Sequence, residues 1–286
     1  MCRVAAYLGG PAVSLASLVL EPEHSLVEQA HSPREVLSGT VNADGFGVGW
    51  YVPEGEGPGA AEGTPDGEPA LYRSTSSIWA DRSFVSLAGK LASPAVFAAV
   101  RNATPGLPVE GSGVPPFGAG PYLCMHNGAI EGFRHTVMRE LRGSLSDESY
   151  ASLLGVTDSE TIFADLCDRL AVSGGPTGTR PPGADGLAGA LSETLRRVSG
   201  VAEQAGVQAT LNLSVTDGSA MVFSRYSLRG PGNSLYFVED GRSFPGGLAV
   251  ASERLDADPG WREVPDDHLL VADGSGTRTE RLARHL

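Results

Sequence analysis

The sequence predicts an α+β protein in which two β-sheets face each other and helices cover the outside. Three observations lead to this prediction. Strand-like segments dominate the first 126 residues, helix-like segments fill the middle, and strand-like segments return from residue 209. Sheets at both ends of a chain with helices between them suit a layered domain. The 286 residues suffice for one large domain or about two average ones, and without a long linker we expect one domain spanning 1–286.

Short apolar segments bounded by glycine and proline mark the predicted strands. These strands lie at 3–8, 46–52, 70–74, 95–100, 122–126, 209–216, 221–226, 234–238, 248–252 and 268–272. Gly9-Gly10-Pro11 is expected to end the first strand. Asp-Gly or other glycine-rich turns are expected to join the last five.

Apolar residues three and four positions apart predict helices at 84–91, 133–141, 159–171 and 187–205. The third opens with Ser159-Glu160, and a carboxylate is favourable in a first turn. Segments rich in glycine and proline occupy 53–69 and 174–183. The first is also acidic and can bury little, so we expect a mobile surface loop outside any active site.

Charge and composition exclude several classes of function. The chain has 21 basic and 34 acidic residues, a formal net charge of −13, and no basic stripe, so we expect no nucleic-acid partner. No segment approaches the ~18 apolar residues of a membrane span, and the N-terminus lacks the pattern of a secretory signal. The cysteines, Cys2, Cys124 and Cys167, suit neither a disulfide framework nor zinc. We therefore expect a cytoplasmic protein that needs no metal or cofactor.

Cys2 is the most informative residue in the sequence. Removal of Met1 would leave a chain that begins with a thiol beside a free α-amine. A thiolate is a strong nucleophile, and an α-amine, whose reference pKa is about 7.7 to 8, can accept the thiol proton and later pass it to a leaving amine. N-terminal threonine enzymes use the same arrangement. A cysteine after Met1 can equally be inert, so the rest of the site decides between these interpretations.

Other residues offer what a cysteine nucleophile needs to cleave an amide. Asn127-Gly128, after the strand at 122–126, can aim an amide and a backbone N–H at one oxygen, although Asn-Gly is also a common hairpin turn. Arg101 follows the strand at 95–100, where it can hold a substrate carboxylate or form a surface ion pair. Asp158 can bind a substrate ammonium or cap a helix. Together these groups suit an amino acid acylated through its side chain.

The order of these motifs resembles that of the class II glutamine amidotransferases, which are N-terminal nucleophile hydrolases. The motifs are Cys2, Asn42-Ala-Asp-Gly-Phe-Gly-Val-Gly49, Arg101-Asn-Ala-Thr104, His126-Asn-Gly128 and Thr157-Asp-Ser-Glu160. Three later segments resemble one branch of this family, the ergothioneine-pathway amidohydrolases: Ala251-Ser-Glu253, Gly260-Trp261 and Val264-Pro-Asp-Asp-His-Leu269. The resemblance therefore covers nearly the whole chain.

The resemblance implies a four-layer αββα sandwich that cleaves γ-glutamyl amides. Carried over by position, Cys2 is the nucleophile, its α-amine is the general base, and Asn127 with the Gly128 N–H forms the oxyanion hole. The implied substrate-binding residues are Arg101 and Thr104 for the glutamyl α-carboxylate, Asp158 for the α-ammonium, and Trp79 for the leaving half. For Trp79 the residue type by itself favours a half-buried core position over a contact with the leaving half.

The leaving half of the substrate separates the remaining alternatives. The resembled branch hydrolyses γ-glutamyl-hercynylcysteine sulfoxide, a small molecule, and has no attached synthase domain. Pro105 follows Thr104, where amidotransferases that pass ammonia to a partner often carry histidine, and this favours a hydrolase. The same glutamyl pocket would accept a glutathione-type compound, or glutamine for a separate ammonia acceptor. A non-catalytic sensor of γ-glutamyl metabolites is a further alternative.

The interpretation of Cys2 depends on the removal of Met1. We expect the intact mass of the purified protein to lack Met1, because the second residue is small. A variant that retains Met1 has no free amine on Cys2, so we expect it to release no glutamate from γ-glutamyl substrates. Full activity in a preparation whose mass includes Met1 would contradict the proposed role of the amine.

Overall fold

The computed structural model describes residues 2–35, 41–52, 67–104, 106, 108–174 and 182–282. The predicted loop at 53–69 lies outside these residues except for 67–69, and most of the predicted loop at 174–183 also lies outside them. Among the helices that the structure describes, none is long and apolar enough to cross a membrane.

Strands and helices alternate in blocks along the described residues. The strands are β1 (Arg3–Ser14), β2 (Phe46–Trp50), β3 (Ala70–Ser74), β4 (Ala92–Val100), β5 (Phe117–Ala119), β6 (Tyr122–Ile130), β7 (Ala209–Thr216), β8 (Ala220–Arg225), β9 (Tyr236–Gly241), β10 (Phe244–Ala251), β11 (Arg262–Glu263), β12 (His268–Asp273) and β13 (Gly276–Arg281). The α-helices are α1 (Leu15–Val19), α2 (Leu26–His31), α3 (Arg82–Ala88), α4 (Phe133–Thr136), α5 (Met138–Arg142), α6 (Asp147–Ala151), α7 (Asp158–Gly174) and α8 (Gly183–Gln204). Short 3₁₀ turns lie at Ile78–Ala80 and Gly111–Gly113.

The strands form two antiparallel sheets. Within the described residues, the first sheet has the order β11-β9-β10-β1-β4-β2-β3, and the second has the order β13-β12-β8-β7-β6-β5. Strand β1 is therefore central in the first sheet and pairs with β10 on one side and β4 on the other. Strands from both ends of the sequence meet at this centre.

Three apolar layers hold the sheets and helices together. The layer between the sheets includes Phe97 from the first sheet and Met125 and Phe223 from the second. A second layer packs helices α1 to α3 on the outer face of the first sheet, and a third packs α7 and α8 on the outer face of the second. The order helix, sheet, sheet, helix confirms the predicted four-layer αββα sandwich.

The alternation of β1 determines where its first residues point. Ala5 and Tyr7 belong to the outer layer under the helices, whereas Val4 and Ala6 belong to the layer between the sheets. Side chains alternate between the two faces of a strand. Cys2, two residues before Val4, therefore lies on the inner side, facing the second sheet.

Several predicted strand ends are wrong by three residues or more, and β1 and β6 show the reasons. β1 does not stop at Gly9-Gly10-Pro11 but continues to Ser14, with a register shift against β4 between Leu8 and Val13. Gly9 permits close packing there, because a Cβ on Gly9 would be 2.8 Å from the Cα of Gly247 in β10. β6 runs past residue 126 to Ile130, so Asn127-Gly128 lies within a strand and not at a turn.

The predicted helices occur with shifted bounds. α3 begins at Arg82 because the Asp81 side chain accepts a hydrogen bond from the N–H of Phe84, 3.0 Å away. The helix predicted at 133–141 is two short helices, α4 and α5, which meet at Val137. The sequence pattern missed several short elements: α1, α2, α6, β5, β11 and β13.

A buried ionic cluster lies on the outer side of the first sheet. Arg3 and Glu253 are both buried, with the Arg3 Nε 3.5 Å from the Glu253 carboxylate. That carboxylate also contacts His24 Nε2 at 2.6 Å and accepts from the backbone N–H groups of Arg34 and Glu35. Burial raises the pKa of the Glu253 carboxyl, but these hydrogen bonds and the charge of Arg3 outweigh burial and hold the pKa below its usual value.

We expect Glu253→Gln to lower the free energy of unfolding by about 3–5 kcal/mol, because it leaves the Arg3 charge buried without a counter-charge. A carboxyl whose pKa is lowered by folding contributes stability above its unfolded pKa of about 4.3 and loses it as the pH falls through the folded value. Urea unfolding at neutral and acidic pH measures both effects. The control Glu28→Gln alters an exposed pair with His31 and should change stability by less than about 0.5 kcal/mol. Equal losses in the two variants would contradict this account.

Candidate active site

Cys2 and Arg101 lie side by side at one end of the neighbouring strands β1 and β4 of the first sheet. Arg3 in β1 pairs with Val100 in β4, so Cys2, just before Arg3, and Arg101, just after Val100, are at the same end of this strand pair. Cys2 is partly exposed. Ala99 belongs to the layer between the sheets, and by alternation Arg101 points to the same side as Cys2.

Arg101 is buried with an unpaired group. The residue is 4% exposed, and its Nη1 has no hydrogen-bond partner among the described residues. Its backbone N–H donates to Gly45 at 2.8 Å, and its carbonyl oxygen accepts from the N–H of Asp44 at 3.1 Å. Gly113 leaves room for the guanidinium, because a Cβ there would be 2.7 Å from Nη2. A buried guanidinium with spare donors suits an anionic ligand such as a carboxylate.

Two hydrogen bonds to the segment at 41–44 hold the chain after Arg101 in place. The N–H of Ala103 donates to the Asp44 carboxylate at 2.8 Å, and Asn102 Nδ2 donates to the carbonyl oxygen of Val41 at 2.9 Å. Thr104, the second residue predicted to contact the substrate carboxylate, is exposed. The side chains of Arg101 and Thr104 make no hydrogen bond to each other in the described residues, so a shared ligand is the contact that would join them.

Asn127 faces Cys2 from the other sheet. In β6, Leu123 and Met125 belong to the layer between the sheets, so Asn127 points into the same layer. It pairs with Asn212 of β7. Its side chain is 1% exposed, and Nδ2 donates to the Oγ of Ser252 at 3.3 Å. The amide therefore lies near the start of β1 with hydrogen-bonding capacity to spare.

The N–H of Gly128 points to the free edge of β6. The N–H of Glu131 donates towards β7, to Gln208, whereas that of Ile130 donates away from β7, to the Asp158 carboxylate. Successive N–H groups of a strand alternate between its two edges, so the Gly128 N–H lies on the side of Asp158. A Cβ on Gly128 would overlap the carbonyl oxygen of Thr210, which explains the glycine.

Asp158 joins the free edge of β6 to the first turn of α7. Its Oδ2 accepts from the N–H of Ile130 at 2.9 Å, and its Oδ1 accepts from the N–H of Ser159 at 2.8 Å. The residue is buried at the start of α7, where the helix dipole favours a negative charge. The side chain that caps α7 is that of Thr157, whose Oγ1 accepts from the N–H of Glu160 at 3.2 Å, so the helix-cap interpretation of Asp158 is wrong. The Asp158 carboxylate has room for a further partner.

His126 and Trp79 differ in their surroundings. His126 points away from the layer between the sheets, with its ring nitrogens 2.9 Å from Ser159 Oγ and 3.0 Å from the carbonyl oxygen of Thr210. Both ring nitrogens are thus occupied, as expected for a structural histidine. Trp79 is 41% exposed on a 3₁₀ turn and contacts the ring of His31, so it is no core residue and its indole is accessible to a ligand.

Three polar residues that contact Asn127 or its neighbours were not predicted as site residues from the sequence. Ser252 follows β10, Asn233 lies in the connection between β8 and β9, and Asn212 is opposite Asn127 in β7. All three are buried. Ser252 was visible only as part of the Ala251-Ser-Glu253 segment, and Asn233 lies in a stretch without a motif, so no signal in one sequence marked it.

The four-layer fold with a cysteine at the open start of a central strand is that of an N-terminal nucleophile hydrolase. The family model of the class-II glutamine amidotransferases matches residues 27–241, and the chain belongs to this family. The relatives and solved structures agree with this assignment.

Two bacterial relatives match nearly the whole chain. The γ-glutamyl-hercynylcysteine sulfoxide hydrolase of Mycolicibacterium smegmatis is 33% identical over 94% of this chain and 95% of its own length. The enzyme of the same name from Mycobacterium tuberculosis is 32% identical over 99% and 98%. A probable glutamine amidotransferase of Saccharomyces cerevisiae is 32% identical over 95% of this chain and 81% of its own.

Solved structures share the fold. A class-II domain protein from Silicibacter pomeroyi superimposes with a TM-score of 0.67 at 22% identity, covering 99% of this chain and all of that one. The glutamine phosphoribosylpyrophosphate amidotransferase of B. subtilis has a TM-score of 0.59 at 14% identity and matches over half its length. These likenesses establish the architecture, and the identities of the relatives establish the family.

We expect Gly128→Ala to lower the free energy of unfolding by about 1–3 kcal/mol, because the new methyl group must displace the backbone of β7 at Thr210. The matched control is Gly200→Ala in α8, where a Cβ meets nothing within 4 Å and should raise stability by about 0.5–1 kcal/mol. Denaturant unfolding of the two variants measures both changes. A Gly128 variant as stable as the wild type would show that β6 does not lie so close to Thr210.

Proposed function

We propose that the chain hydrolyses the γ-glutamyl amide bond of γ-glutamyl-hercynylcysteine sulfoxide, giving glutamate and hercynylcysteine sulfoxide. The observation that carries the reaction class is the position of Cys2, at the open start of β1 beside the buried Arg101. The leaving half is taken from the names of the two bacterial relatives, which match the chain from end to end.

Removal of Met1 precedes the reaction and makes Cys2 the first residue. The free α-amine accepts the thiol proton, and the thiolate attacks the γ-carbonyl carbon of the glutamyl group. A carbon–sulfur bond forms and the carbonyl electron pair moves onto oxygen. The developing oxyanion accepts hydrogen bonds from Asn127 Nδ2 and the Gly128 N–H.

The tetrahedral intermediate collapses to a thioester, which water then hydrolyses through a second tetrahedral intermediate. The carbon–nitrogen bond breaks, the protonated α-amine gives its proton to the leaving amine, and a glutamyl thioester remains on Cys2. Water, deprotonated by the α-amine, attacks this thioester through the same oxyanion hole. The carbon–sulfur bond breaks, glutamate leaves, and the proton returns to the thiol. Every proton in these steps is carried by Cys2, its amine or water.

Charged groups select the glutamyl half. The Arg101 guanidinium binds the α-carboxylate, with Thr104 as a second donor, and the Asp158 carboxylate binds the α-ammonium. Substrates that leave these groups unpaired are bound poorly, because a buried unpaired charge or donor costs free energy. The exposed indole of Trp79 contacts the leaving half.

The yeast relative favours a second candidate substrate. That protein is named a probable glutamine amidotransferase, and glutamine carries the same glutamyl half with ammonia as the leaving group. The proposed site has no feature that requires a large leaving group for the chemical steps. Turnover of different γ-glutamyl compounds therefore decides between the two.

The proposal also covers the domain organisation, the cellular compartment and the kind of partner. We infer one catalytic domain over 1–286, which acts in the cytoplasm on a small molecule and not on a nucleic acid. The three cysteines are free thiols, as a reducing compartment keeps them, and the formal charge of −13 opposes binding to a phosphate backbone.

We expect the processed protein to release glutamate from γ-glutamyl-hercynylcysteine sulfoxide with a higher kcat/KM than from glutathione or glutamine. Cys2→Ala should abolish release from all three. Arg101→Met should raise KM about 10- to 100-fold, the value of a lost hydrogen bond to a charged group. The control Arg242→Met removes an exposed arginine from the β9–β10 turn, at the far end of the sheet, and should leave KM unchanged.

Each other outcome has a definite meaning. A preference for glutamine or glutathione that still depends on Cys2 keeps the mechanism and replaces the proposed substrate. Release that survives Cys2→Ala contradicts the mechanism. No release from any of the three compounds by protein that lacks Met1 would favour a non-catalytic sensor.

A further inference from the structure

The Asn127 amide has two ends of opposite polarity, and its rotation decides whether the proposed oxyanion hole works. The NH₂ end donates hydrogen bonds and stabilises an oxyanion, whereas the oxygen end only accepts and would repel it. A half-turn about the last side-chain bond exchanges the two ends. The site therefore needs a group that recognises which end is which.

Asn233 is placed to fix this polarity. Its Nδ2 donates to the main-chain carbonyl oxygen of Asn127 at 2.9 Å and to the side-chain Oδ1 of Asn127 at 3.2 Å. A backbone carbonyl can only accept, so the end of Asn233 that faces Asn127 must be the NH₂ end. The Asn127 atom facing that group must then be its oxygen, because two NH₂ groups would repel. The backbone carbonyl thereby orients both amides.

Ser252 holds the other end of the Asn127 amide. Its Oγ accepts from Asn127 Nδ2 at 3.3 Å and from the backbone N–H of Val4 at 2.9 Å. Its own N–H donates to the carbonyl oxygen of Val4 at 2.9 Å. The Ser252 hydroxyl thus links the Asn127 amide in the second sheet to β1, the strand that follows Cys2. The second hydrogen of Nδ2 stays available for the substrate.

The surroundings hold this arrangement in place. Asn233 is 1% exposed and Ser252 is fully buried. Asn212 Nδ2 donates to the carbonyl oxygen of Asn233 at 2.8 Å and so fixes the connection between β8 and β9. The cavity beside Asn127 has a volume of about 10 Å³, on the order of one water molecule, so the amide has little free space on that side.

We propose that Asn233 and Ser252 are positioning residues for oxyanion stabilisation. Asn233 sets the polarity of the Asn127 amide, and Ser252 sets its distance from the nucleophile strand. This inference rests on the proposed function in one respect, since it requires a tetrahedral adduct on Cys2. It does not depend on the leaving half of the substrate.

The test compares two ligands that share the glutamyl half. Glutamate γ-semialdehyde forms a thiohemiacetal: the Cys2 sulfur bonds to the aldehyde carbon, and the thiol proton moves to the α-amine while the new oxyanion lies in the hole. Glutamate binds the same pocket without an oxyanion. We expect Asn233→Ala to weaken binding of the aldehyde about 10- to 100-fold, up to the effect of losing one oxyanion donor, with glutamate affinity within twofold of wild type. Hydrolysis should show a lower kcat with an unchanged KM.

Ser252 and a matched control complete the design. Ser252→Ala should weaken aldehyde binding about tenfold, and Ser252→Thr, which keeps the hydroxyl, should restore it. The control is Ser93→Ala, which removes an equally buried hydroxyl bonded to the backbone of Tyr51 and Ala95, at the opposite end of β4 from Arg101. This variant should lose stability and keep the wild-type ratio of aldehyde to glutamate affinity.

The outcomes separate this inference from the proposed function. If Asn233→Ala and Ser252→Ala lower the melting temperature but keep the wild-type affinity ratio, the two residues are structural and the inference is wrong. Normal aldehyde binding, with the expected variant effects but no turnover of the sulfoxide, supports the inference and overturns the proposed substrate. Wild-type protein that binds glutamate but not the aldehyde overturns both.

Discussion

The central position of β1, with Cys2 just before its first residue, is the constraint on which the rest of the structure depends. A strand bonded on both sides by β10 and β4 cannot slide without breaking two ladders. The position of Cys2 is therefore set by backbone pairing, not by side-chain packing alone. Arg101 arrives beside it because β4 ends there, and Asn127 faces it because the second sheet packs on the same layer.

Two buried arginines, Arg3 and Arg101, lie on opposite faces of the first sheet and differ in their ion pairing. Arg3, on the helix side, has its counter-charge in Glu253. Arg101, on the inner side, forms no ion pair among the described residues. Both arginines keep buried nitrogens without a hydrogen-bond partner there, so the ion pair is what differs between them. Burying an unpaired charge is costly, and in the proposed function the substrate carboxylate supplies the counter-charge of Arg101.

Much of the fold followed from the sequence because its strands carry apolar residues bounded by glycine and its long helices carry a clear period. The strand at 209–216 has the predicted bounds, and Asp158 begins α7 as expected. Asn127-Gly128 was misjudged as a turn because this dipeptide favours turns locally, whereas here close packing against Thr210 demands the glycine. Asn233 could not be predicted for another reason. It contacts Asn127, which lies 106 residues away in the sequence, and no local pattern encodes such a contact.

The hydrogen bond between Val4 and Ser252 joins residues 248 positions apart, and this separation has a consequence for biosynthesis. While a ribosome is still making the chain, β1 lacks β10, its neighbour on one side, and Asn127 lacks its contact with Ser252. In the proposed mechanism, Met1 is therefore removed from an N-terminus that the finished sheet has not yet enclosed. Under that proposal, Cys2 has no complete site until nearly the whole polypeptide has been synthesised.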